Sequence, residues 1–190
     1  MNSRNLSIGL FAVTVVAQLL APGWMLARHE NVVQNGETFR FQCEPVDPLD
    51  VLRGRYVALG FRDNTAIGDP GLVADDEGYA TLVVGDDGFA RFDRFEKERP
   101  VSGPYLKATI GAAWQRAEED TVPEAVVVDL PFDRFYMDET IAQEAQQALR
   151  QRNDGAQPAY LEVRILDGYA VPVELYIDDT PAAEFIRNRK

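Results

Sequence analysis

The sequence predicts a mainly β, α+β protein: an N-terminal transmembrane helix followed by one antiparallel β-rich domain that carries a single amphipathic helix. Three observations lead there. From Leu6 through Leu26 the chain runs 21 residues without a charge, and at about 1.5 Å per residue such a helix crosses a hydrocarbon core of about 30 Å. Beyond it, short alternating apolar and polar stretches are punctuated by Asp-Gly pairs, the pattern of strands joined by tight turns. One later segment, opening at Asp138, keeps the spacing of an amphipathic helix.

The apolar run is expected to remain as an anchor over residues 1–27, with residues 28–190 forming the outer domain. A cleaved signal peptide has a shorter apolar core and a small-x-small exit. Here a cut after Ala27 finds Met25 where a small residue belongs, and a cut after Ala21 runs into Pro22. Trp24 suits the headgroup zone, and Pro22-Gly23 predicts a kink or an end of the helix. Arg4 precedes the span while Arg28 and Arg40 follow it, a weak asymmetry that favours an inside N-terminus and an outside domain.

The domain opens with an alternating strand at residues 38–43. A compact corner follows. Asp47 can cap a helical turn, Pro48 suits its first position, Asp50 stands three residues after the cap, and Gly54 can take the left-handed stop. Arg53 lies within a turn of both acids and can pair with either. The corner delivers a second strand at residues 55–61, with Tyr56, Ala58 and Gly60 on one face and Val57, Leu59 and Phe61 on the other. Asp-Gly at 87–88 and at 167–168 predicts hairpins over residues 79–92 and 161–177, both through primed turns. Pro172 marks the returning strand of the second as an edge or a bulge. Residues 105–114 and 124–130 read as a strand pair joined by an acidic loop. The helix is expected from the Asp138 cap to about Arg152, with Ile141, Ala142, Ala145, Ala148 and Leu149 as its apolar stripe and Gly155 as its stop.

Composition excludes several functions. All 31 acidic residues and 18 of the 19 basic ones follow the apolar run, so the outer domain is acidic and repels nucleic acid and anionic lipid. One His and one Cys cannot furnish a three-ligand soft metal site. Cys43, between Phe41 and Pro45, reads as a small buried hydrophobe, and His29 as a solvated residue at the membrane exit. The acidic clusters lack calcium-loop spacing and read as solvated turns. No phosphate loop or dinucleotide fingerprint is present, so no cofactor is expected.

The run Pro45-Val-Asp-Pro-Leu-Asp-Val-Leu-Arg-Gly-Arg-Tyr-Val-Ala-Leu-Gly-Phe61, close behind a single span, resembles the GDYXXLXY family of bacterial membrane-anchored proteins. Gly54, Tyr56 and Leu59 match its name directly, whereas Arg55 replaces the Asp and Phe61 the final Tyr. Phe135-Tyr136-Met-Asp-Glu139, heading the helix, and the last Asp-Gly hairpin are also similar to the family, so the resemblance covers most of the chain. It implies a bacterial inner-membrane location with the outer domain in the periplasm. Genes of the family often stand beside one for a multi-span membrane protein, which implies a partner in the bilayer but no particular activity. Asp47, Pro48, Asp50, Arg53, Gly54, Tyr56, Leu59 and Glu139 are the candidate motif and interaction residues. Because each corner residue has a local backbone role, scaffolding is expected to be their first duty.

The leading expectation is a non-catalytic envelope protein that binds or stabilises an integral membrane partner and touches lipid through residues 6–26. The alternative is a membrane-anchored hydrolase. A signal-peptidase-like enzyme also has an anchor, a β-rich domain and an Arg-Gly-x-x-Val strand like Arg53 to Val57, but it needs a Ser just after the span and a Lys to activate it. Only Ser3, Ser7 and Ser102, with Lys97, Lys107 and Lys190, are on offer. A carboxylate pair would have to be recognised by its separation in space.

Overall fold

A computed structural model describes residues 3–44, 56–69, 71–114, 124–151 and 158–189. The chain opens with α1 (Ser3–Asn35), whose stretch Gly9–Asn35 is long and apolar enough to cross a membrane. The expected break at Pro22-Gly23 does not end it, and the helix continues past residue 27 for two further turns. A proline removes a single backbone bond, which an established helix tolerates, and the continuation is reinforced from two sides. Gln34 Nε2 donates to Glu30 Oε1 at 2.6 Å and Asn35 Nδ2 to Asn31 Oδ1 at 2.9 Å, while Val32 is buried where the final turns pack on the domain.

Gly36 alone separates α1 from β1 (Glu37–Glu44). Its N–H closes the helix on Val32 O at 2.8 Å, and a Cβ there would meet that same oxygen at 2.4 Å and the backbone of Ile165 at 3.1 Å. The turn from helix to strand therefore requires glycine.

β1 enters an antiparallel five-stranded sheet. After β2 (Tyr56–Ala58), β3 (Gly60–Phe61) and the later β10 (Tyr160–Leu166), β11 (Tyr169–Ile177) and β12 (Thr180–Pro181), its order is β12-β11-β10-β1-β3. The other strands, β4 (Thr65–Gly68), β5 (Glu77–Val84), β6 (Ala90–Glu96), β7 (Tyr105–Trp114) and β8 (Glu124–Asp129), close into a barrel ordered β4-β6-β5-β7-β8, with β4 and β6 parallel. Closure removes the exposed edges that a short open sheet would present. Irregularities at Ala80/Leu82 and at Ile110/Ala112 bend β5 and β7 enough to close it. At the first of these the Thr81 hydroxyl donates to Arg94 O at 3.2 Å and accepts from Arg94 N at 3.0 Å, standing in for the interrupted ladder.

The sheet's inner face meets the barrel in one core. Phe41 is at its centre, with ring centroids 5.3 Å from Phe132, 6.0 Å from Phe92 and 6.1 Å from Phe61. Cys43 belongs to this core as expected, and burial pushes its thiol up to about 12. β9 (Arg134–Tyr136) pairs with β2, and α2 (Glu139–Arg150) packs on β2 with Ala142, Ala145, Ala148 and Leu149 buried. Asp138 caps α2 through its Oδ1, which accepts from Thr140 N at 3.0 Å. The stop proposed at Gly155 lies outside the described residues.

The fold class is thus the expected one, with differences in detail. A second outer helix, α3 (Ala182–Asn188), follows the last strand and packs on α2 and β11. At seven residues it is too short to show a helical period in the sequence. The primed turn forms at Asp167-Gly168, with φ of 51° and 77°. It does not form at Asp87-Gly88, where only Gly88 is left-handed, at 80°, and Gly88 N–H returns to Gly85 O at 2.9 Å. That hairpin uses a wider loop ending in a left-handed glycine.

Pro172 sits at the bulge, where the register steps from Glu162↔Glu174 to Val163↔Pro172. The extra residue, Val173, is left 38% exposed instead of following Leu175 and Ile177 inward. The bulge also reverses the strand's faces, so Val171 is buried outside the main core, on the face it shares with its partner Arg164, where α1 packs.

Candidate functional site

The expected second strand divides into two at Leu59, and this division creates the site. Tyr56, Val57 and Ala58 pair with Tyr136, Phe135 and Arg134 of β9, whereas Gly60 and Phe61 return to β1. Alternation sends Val57 and Leu59 into the core, with Phe61 packed against it, and leaves Tyr56 on the outer face. Leu59 is therefore a core residue, not a contact residue. Tyr56 and Tyr136 meet edge to face at 5.9 Å, and the Arg134 guanidinium lies 5.1 Å from the Tyr56 ring centroid. Tyr136 is 69% exposed. The Arg134 charge is held above its ordinary pKa, first by Asp133 and then by its bond to Tyr136.

The ribbon's free edge is covered by α2. Ala58 N–H, which faces away from β9, donates to Gln146 Oε1 at 2.8 Å. Among the described residues, Gln146 Nε2 is buried without a partner. The helix thus gives up one amide hydrogen bond to cover a strand edge. Gln146→Leu is expected to lower stability by about 1–3 kcal/mol, because it leaves the half-buried Ala58 N–H unpaired beneath an apolar side chain. In a thermal melt of the detergent-solubilised chain this is a drop of roughly 3–10 °C.

Glu139 is exposed in the first turn of α2, where a negative charge favours the helix dipole. The structure joins the ribbon of Tyr56 to the strand that leads into Glu139, two stretches nearly eighty positions apart. Asp47, Pro48, Asp50, Arg53 and Gly54 lie outside the described residues. Arg134 and Gln146 were missed from sequence. Gln146 had a signal: it stands four residues after Ala142 and three before Leu149, a polar residue on the apolar stripe.

A sequence model of the GDYXXLXY protein family matches residues 18–175, from inside α1 to inside β11. The chain belongs to the GDYXXLXY family. In this GDYXXLXY protein the family's Tyr and Leu positions thus divide their work, with Tyr56 on the surface ribbon and Leu59 in the core beneath it. Neither a curated protein nor a solved structure matches the chain.

A second polar cluster of the GDYXXLXY domain lies on the outer face of the sheet. Glu162 and Glu174 are directly opposed across β10 and β11, and beside them Tyr160 and Tyr176 stack at 4.8 Å with Arg40 5.3 Å from the Tyr160 ring centroid. Partial burial raises the Glu174 pKa, opposed by a bond from Leu175 N–H and assisted by the charge of Glu162. A raised carboxyl makes its ionised form a cost to the fold. That cost is absent below the ordinary carboxylate range and complete above the raised value. Glu174→Gln is accordingly expected to raise the melting temperature at pH 7 by about 1–3 °C, as for relief of opposed like charges. The gain should vanish well below the ordinary Glu pKa of about 4.3, where Glu174 is protonated in the folded and the unfolded chain alike; melts at pH 7 and at about pH 3 check it.

Among the described residues no group of three or more His, Cys, Asp or Glu side chains could hold a metal ion. A cleft of about 470 Å³ does gather Asp69, Glu96 and Glu98 with Lys97. Arg94 engages two of these acids, at 3.2 Å for Asp69 and 3.7 Å for Glu96.

Proposed function

We propose that this GDYXXLXY protein is a single-pass, non-catalytic envelope protein whose outer domain binds and stabilises an integral membrane partner. The observation that carries the reading is the surface cluster of half-buried Tyr56 with exposed Tyr136 and Arg134, on a ribbon braced by α2. Tyrosine and arginine are the residue types that dominate interface energetics, and a braced ribbon binds without first ordering itself. The apolar helix supports placement of this cluster beside other membrane proteins.

The signal-peptidase-like alternative has a specific observation against it. Lys107 forms an ion pair with Glu77 at 2.9 Å, which raises its pKa, whereas a general base needs a lowered one. Ser102 lies exposed in the connection before β7.

The test is gentle extraction of the tagged chain and quantitative recovery of co-purifying proteins. An integral membrane protein should accompany the wild type, and its recovery should fall at least about tenfold for Tyr56→Ala/Tyr136→Ala, the loss of two interface anchors of about 1 kcal/mol or more each. Equal recovery from a folded double variant removes the reading. The location proposed is the inner membrane with the domain in the periplasm. A reporter fused after Lys190 should be active only outside the cytoplasm, and cytoplasmic activity would reverse the orientation.

A further inference from the structure

We propose that the tip of the β10–β11 hairpin is a second lipid contact, with Tyr169 seated among the phospholipid headgroups next to the helix. The inference rests on the membrane-anchored reading and adds the position of the domain relative to the bilayer. One guanidinium sets that position. Arg28 lies 5.5 Å from the ring centroid of Trp24, one turn before it in α1, and 4.4 Å from that of Tyr169. Trp24, near the end of the apolar run, and Tyr169, the first residue of β11, are thus held on one cation.

Helical rise converts this contact into a depth. The uncharged run ends at Leu26, and Arg28 is two residues further on, about 3 Å along the axis. The headgroup layer on each side of a bilayer is about 5–7 Å thick. A ring stacked on Arg28 therefore falls within that layer and not above it. Tyr169 is 38% exposed and Trp24 63% exposed, and an aromatic ring with a polar tip is the residue type that prefers this zone. The hairpin cannot swing away freely. Arg164 Nη1 donates to Gly36 O at 3.0 Å, and Lys107 N–H to Gly168 O at 2.9 Å, tying the tip to the helix end and to the barrel.

The test is depth-dependent fluorescence quenching of the full chain in neutral phosphatidylcholine vesicles that carry bromine near the headgroup end or near the middle of the acyl chain. One variant, Trp114→Phe, reports from Trp24 alone. A second, Trp24→Phe/Trp114→Phe/Tyr169→Trp, reports from position 169. Both are expected to be quenched, position 169 about twofold more by shallow bromine than by deep bromine.

Quenching of Trp24 without quenching at position 169 overturns the inference and leaves the anchor standing. Absence of quenching at both overturns the anchor and the inference together. If the tryptophan replacements unfold the chain, a nitroxide on Tyr169→Cys in the same vesicles gives a depth from the ratio of its collisions with oxygen to those with a water-soluble nickel chelate. Cys43, buried and held protonated, does not compete for the label. A ratio in vesicles no higher than that of a freely water-dissolved nitroxide overturns the inference.

Discussion

Phe41→Ala is expected to destabilise the domain by about 3–5 kcal/mol, the range for truncating a buried aromatic side chain. Phe41 is 2% exposed and touches three other rings, two from outside its own sheet. Its removal therefore opens a cavity at the seam between sheet and barrel, where neither layer can collapse without shifting the other. In a thermal melt the transition should fall by roughly 10 °C or more. Phe41→Leu, which keeps most of the volume, should recover the larger part of that loss.

Gly168→Val is the second large effect expected. Gly168 sits at φ 77°, and a Cβ there would come 2.7 Å from Cε2 of Tyr105 and 3.3 Å from Lys107 N. A β-branched residue in the left-handed region costs about 1–2 kcal/mol, and forced overpacking adds about 1–3 kcal/mol. The comparison that isolates the contact is Gly88→Val, at nearly the same φ of 80° but with nothing within 4 Å of the added carbon. Both variants pay the conformational cost, so the excess drop in melting temperature at position 168 measures the joint between hairpin and barrel. Equal drops would mean that the barrel yields at Tyr105.

Particular elements show how far local chemistry reaches. The span, the capped helix at Asp138 and the Asp167-Gly168 hairpin were legible because each depends on neighbours within one or two turns. Pro172 was legible for the same reason: a missing N–H identifies a bulge wherever the strand sits. The barrel was not legible, because its closure depends on the parallel pairing of Ile67 with Arg94, which no local period encodes. The division of the second strand at Leu59 escaped notice because two partners, β9 and β1, compete for one continuous alternating run. For the site, Tyr56 was found from the family motif, but its companions Tyr136 and Arg134 join it only through that long-range pairing. The shorter Asp87-Gly88 prediction failed because Asp86 joins the loop, which Gly85 N–H closes on Phe89 O, a length that the dipeptide alone does not report.

The single glycine between α1 and β1 has a consequence for how this molecule meets a partner. Anchored domains usually hang from a linker whose length sets how widely they search. Here the apolar helix α1 runs straight into the domain, and Gly36, Arg164 and Arg28 leave no slack at the joint. In the anchored arrangement proposed above, Tyr56 and Tyr136 are consequently carried at a constant height above the bilayer and face a constant direction around the helix axis. For the membrane partner proposed above, recognition then becomes a two-dimensional problem: a protein diffusing in the same membrane presents its surface already at the right level, and only rotation about the membrane normal remains to be matched.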